Sequence, residues 1–75
     1  MSDLDEAIRR ITDRIARDRP AAIAGPAPFW ARLIDLPLPL TTAALEALVE
    51  RGTVRRQPLG AQIFYIADPP HATKG

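Results

Sequence analysis

The sequence predicts a small α+β domain in which three helices are closed by a β-hairpin. Three observations carry that prediction. Leu4, Ile8, Ile11 and Ile15 recur at helical spacing near the start of the chain. Leu45, Leu48 and Val49 form a second apolar stripe that is followed by Gly52, a helix stop. TVRRQ and QIFYIA are two β-prone runs separated by Pro58-Leu59-Gly60.

The first helix should run from Ser2 to about Asp18. Ser2 is a good N-cap, and Asp5 stands where a capping box wants a carboxylate or amide. Asp3, Asp5 and Glu6 fall in the first turn and Arg14, Arg17 and Arg19 toward the end, as the helix dipole favours. Asp5–Arg9, Glu6–Arg10, Arg9–Asp13 and Asp13–Arg17 are spaced for i, i+4 pairing. Pro20 ends the helix by barring its predecessor from helical geometry. The isoleucine stripe has two readings, packing onto this domain or a short dimer seam.

Ala22–Ala24 can add an edge strand, with Ile23 as its inward side chain. PFWARLID, opened by Pro28, makes a second helix through the pairs Phe29–Leu33 and Trp30–Ile34. LPLPL, Leu36 to Leu40, reads as a non-helical turn because of its two prolines. The third helix then starts with Thr41 as N-cap, and Leu40 and Leu45 form a hydrophobic staple. In the hairpin, Val54 points to the core. Either Ile63 and Tyr65 or Phe64 and Ile66 face inward, and the apolar surplus there suggests that a partner chain covers one face. The expected organisation is a folded domain over residues 1–67 and a flexible tail over 68–75.

Composition excludes several function classes. The chain has 75 residues, no cysteine and one histidine, His71 in the proline-broken tail. Disulfides, zinc clusters and thiol catalysis are therefore excluded, and no metal or cofactor is expected. Glu46 and Glu50 share a helix face, but no histidine or phosphate-binding glycine loop accompanies them, so an enzyme is not expected. No apolar run is long enough for a membrane span and no signal peptide is visible, which makes a cytoplasmic protein the expectation. Net charge is +1. Its distribution matters more: the first twenty residues balance, and a modest positive excess sits beyond residue 52, carried by Arg55, Arg56 and Lys74. A chain this small gains stability by dimerising, so a homodimer is one expected assembly.

The string LEALVERGTVRR…G…FYIA resembles winged helix-turn-helix regulators of the ArsR and MarR type in its leucines, glycine stop, valine, basic pair, wing glycine and tyrosine. The resemblance spans roughly Pro28 to Ala67. It implies three helices plus a two-stranded wing, which becomes three-stranded if the edge strand forms. It also implies a DNA-binding transcriptional regulator, with the third helix in the major groove and wing arginines on phosphates. Carried over residue by residue, the groove positions are Thr41, Thr42, Ala43 and Glu46. The wing positions are Arg55, Arg56, Gln57 and Gln62. Threonine and alanine can meet a thymine methyl and glutamate can accept from cytosine, but none makes the bidentate Arg–guanine or Asn–adenine contact. A second reading stays open, in which the alanine-rich helix or the apolar hairpin docks a protein partner and no DNA is bound.

Overall fold

The computed structural model describes residues 2–67, so the expected tail over 68–75 lies outside the described residues. Along the chain come α1 (Asp3–Asp18), β1 (Ile23–Pro26), α2 (Ala27–Ile34), α3 (Leu38–Glu50), β2 (Arg55–Leu59) and β3 (Gln62–Ala67). The strands form one antiparallel sheet in the order β1-β3-β2. This is an α+β domain of three helices and a three-stranded sheet, a layout compatible with a winged helix.

The first helix follows its sequence signals. The Ser2 hydroxyl oxygen accepts from the Asp5 N–H at 3.1 Å. Ala7, Ile8 and Ile11 are buried and Ile15 packs at the margin, so most of the stripe serves this domain's own core against α3 and α2, while Leu4 at its start is exposed. Glu6 takes both Arg10 and Arg9, at 3.0 and 2.5 Å, and Arg14 reaches Asp18 at 3.5 Å. Two arginines also bind across to α2: Arg10 donates to the Ile34 carbonyl at 3.0 Å and Arg14 to that of Leu33 at 3.4 Å. Both carbonyls lie in the last turn of α2, where acceptors lack helical partners and a cation is favoured.

The edge strand exists, shifted to Ile23–Pro26, with Ile23 buried opposite Ala67. Helix α2 starts at Ala27, keeps Pro28 in its first turn and buries Trp30 and Ile34. It stops at Asp35, a left-handed residue with φ 59°.

The start of the third helix corrects the sequence reading. LPLPL is not wholly a turn, because α3 begins at Leu38 and Pro37 is its N-cap residue. Pro39 falls in the first turn, where its missing N–H costs no helical bond. Thr41 is therefore one turn inside the helix and is not its cap. The far end matches expectation. Gly52 has φ 82°, its N–H donates to the Val49 carbonyl, and the Thr53 N–H donates to that of Leu48, each at 3.0 Å. Those two bonds make a Schellman stop.

The hairpin turn also differs from expectation. Leu59 pairs with Gln62, which leaves Gly60-Ala61 as the loop and places Pro58 inside β2. Gly60 has φ 63°, and Ala61 is not among the positive-φ residues, the pattern of a type II′ turn. Pro58 is tolerated because β2 is an edge strand. Tyr65 and Ala67 face inward and are buried, whereas Phe64 and Ile66 lie half-buried on the opposite face. Ile63 shares the inward parity but projects past the core, 47% exposed.

Candidate nucleic-acid interface

The interface implied by the resemblance is the outer side of α3 together with the wing. The only charged residues of α3 are Glu46 and Glu50, and the eight candidate residues fare differently along it. Thr41 is fully buried, and its hydroxyl donates to the Pro37 carbonyl at 2.9 Å. It cannot touch a base, which corrects its assignment as a groove residue. The cause is the helix starting four residues earlier than the prolines suggested, with its N-cap at Pro37 and not Thr41. Thr42 is half-buried and donates back to the Leu38 carbonyl at 2.9 Å, so its hydroxyl is engaged within the helix. Ala43 is exposed.

Glu46 is the structural centre of this face. One carboxylate oxygen, Oε2, accepts from the Tyr65 hydroxyl at 2.5 Å, and the other, Oε1, pairs with the Arg56 guanidinium. The Tyr65 hydroxyl first, and Arg56 after it, hold the Glu46 carboxyl below its ordinary range against an opposing desolvation. The same contact acts on Tyr65 in reverse: burial foremost, then the Glu46 carboxylate, pushes the phenol up to about 12.

Strand alternation separates the two wing arginines. Arg56 sits opposite Tyr65 and reaches α3, whereas Arg55 sits opposite Ile66 and Gln57 opposite Phe64 on the other face. Adjacent basic residues in a strand do not make one patch. Gln62 is exposed beside the turn.

Sequence reasoning missed Tyr65 as the partner of Glu46, because the two are 19 residues apart and no local spacing rule joins them. The structure also defines the apolar rim of the hairpin, which the sequence only hinted at. Leu59 is 49% exposed, and Ile63 borders a shallow trough against Pro26, Ala27 and Pro28. The surplus of apolar residues in QIFYIA was its only signal. Among the described residues no group of three or more acids or histidines is placed to hold a metal, and no helix is long and apolar enough to cross a membrane. Comparison with known protein families, curated proteins and solved structures returns no match.

Proposed function

We propose that this chain is a small winged-helix DNA-binding protein that grips the nucleic-acid backbone more than it reads bases. One observation carries the reading: the Arg56–Glu46 contact joins the wing to the outer side of α3, so both can meet one duplex. The order of helices and strands supports the same geometry. The α3 surface presents Ala43 and the half-buried Thr42, small groups that can lie against thymine methyls without strong discrimination. Affinity would then rest on phosphate contacts by Arg55 and Arg56, with Gln57 and Gln62 hydrogen-bonding the backbone, and on two copies acting together at a two-fold site. Such a protein would act as a transcriptional regulator only where paired half-sites add up.

The test is a salt titration of binding to random-sequence duplex DNA, read by anisotropy of the labelled duplex. Binding should weaken steeply with salt. Replacing Arg55 and Arg56 together by alanine should flatten the logarithmic slope by up to about 2 units, since each phosphate contact contributes about 0.9. A folded protein that does not bind at low salt would refute the reading.

A second reading has its own supporting observation. Leu59 and Ile63 are half-exposed at the end of the hairpin, and an apolar trough lies beside Ile63. That rim suits a protein partner better than a phosphate backbone. Under this reading Ile63→Glu abolishes partner capture, while the double arginine variant changes nothing.

A further inference from the structure

We propose that Glu46 is a built-in competitor for nucleic-acid phosphate, holding Arg56 against α3 in the free protein so that DNA must displace it to engage the wing. The inference rests on the DNA-binding reading and adds a residue that sets its strength.

The geometry supplies the argument. A guanidinium binds a carboxylate and a phosphate through the same planar set of donors, so one can exchange for the other. The Glu46 carboxylate is held in place from behind, because its second oxygen accepts from Tyr65, a buried residue on the central strand. The competitor therefore stays beside Arg56 and does not swing into solvent. The pair can still open without unfolding: the Arg56 and Glu46 side chains are 46% and 40% exposed. When Arg56 leaves, Glu46 keeps its Tyr65 partner and is not stranded. Every duplex would meet this competition equally. The cost lowers affinity without changing the ratio between sites, so at a given concentration only sites where α3 and a second copy add enough would be occupied.

The experiment is a double-mutant cycle on random-sequence duplex DNA, using wild type, Glu46→Gln, Arg56→Ala and the double variant. Glutamine retains an acceptor for the Tyr65 hydroxyl, and a thermal melt by circular dichroism verifies that each variant is folded. Glu46→Gln should bind several-fold tighter with nearly the same salt slope, because Arg56 meets phosphate in both complexes and only the cost of displacing Glu46 is removed. In the Arg56→Ala background the same change should give no such gain. An equal gain in both backgrounds would mean simple charge repulsion and would overturn the competitor role while leaving DNA binding intact. Wild-type binding that Glu46→Gln does not tighten would overturn it too. If no folded variant binds DNA at low salt, the DNA reading itself fails and the competitor with it.

Discussion

The indole Nε1 of Trp30 donates to the backbone carbonyl of Tyr65 at 3.0 Å, joining residues 35 positions apart in the chain. Both residues are buried, and the bond ties α2 to the central strand. At its other end the Tyr65 side chain meets Glu46 on α3. Tyr65 is therefore where α2, α3 and the sheet are held to one another. Trp30→Phe removes the donor, leaves a buried carbonyl without it and opens a small void. The variant should lose about 2–4 kcal/mol. Urea unfolding followed by circular dichroism checks this, with the midpoint falling and the m-value unchanged.

The pairing of Tyr65 with Glu46 sets a pH window. In the folded chain the phenol ionises at about 12, and in the unfolded chain at its ordinary value of 10. Its contribution to stability is whole below pH 10 and is lost as pH rises from 10 towards 12. Glu46 acts at the acid end. Its folded pKa lies below the ordinary 4.5, so its contribution is whole above that value and is lost as pH falls through the folded one. Tyr65 is the only tyrosine, so tyrosinate absorbance reports it alone. Glu46→Gln should move that titration partway back towards 10, because burial, the larger cause, remains. An ordinary tyrosine titration in the wild-type protein would rule out the contact.

What the sequence revealed and what it hid follow from the range of the forces involved. The Ser2 cap, the isoleucine stripe and the Gly52 stop are local, and each was legible because its partners lie within a turn or two. The start of α3 was obscured because proline blocks a helix interior yet suits a first turn, and LPLPL contains both cases. That shift of four residues also turned Thr41 from a surface cap into a core residue. The facing of β3 was hidden because Ile63 to Ile66 are all apolar, so alternation left no trace. At the candidate interface, the Glu46, Arg56 and Tyr65 cluster depends on tertiary approach, which helix periodicity does not encode.

Gly25 is required by a close approach. A Cβ built there would lie 2.4 Å from Phe29 Cδ2, 2.7 Å from its Cγ and 3.0 Å from its Cβ. The ring, with Phe29 41% exposed, can swing outward, but its Cβ is fixed by the α2 backbone. Gly25→Ala should therefore cost about 1–3 kcal/mol. Phe29→Ala combined with it should recover part of that loss, giving a favourable coupling in a thermal-melt cycle. Strict additivity of the two changes would show that the clash lies elsewhere.

Gly52 makes the opposite case, since nothing lies within 4 Å of a Cβ placed there. Its constraint is purely backbone, a φ of 82°. Gly52→Ala should cost about 1–2 kcal/mol, the left-handed penalty for a side-chain-bearing residue, and Gly52→Asn less. Equal midpoints for the two variants in urea would contradict a left-handed stop.

Thr41 separates folding from recognition on α3. Its hydroxyl donates to the Pro37 carbonyl at 2.9 Å, but that carbonyl also accepts the Thr41 N–H at 3.0 Å. Thr41→Val removes one donor without leaving the acceptor unpaired, and the added methyl replaces the hydroxyl at similar volume. The loss should be about 0.5–1.5 kcal/mol. Because the side chain is wholly enclosed, DNA affinity and its salt slope should not change. Ala43→Arg, two residues on and on the exposed side of the helix, should do the reverse: stability is held within about 0.5 kcal/mol while DNA binding tightens. Measuring both variants by urea unfolding and by anisotropy checks the assignment. A loss of DNA binding in a folded Thr41→Val protein would mean that α3 presents a different face to the duplex.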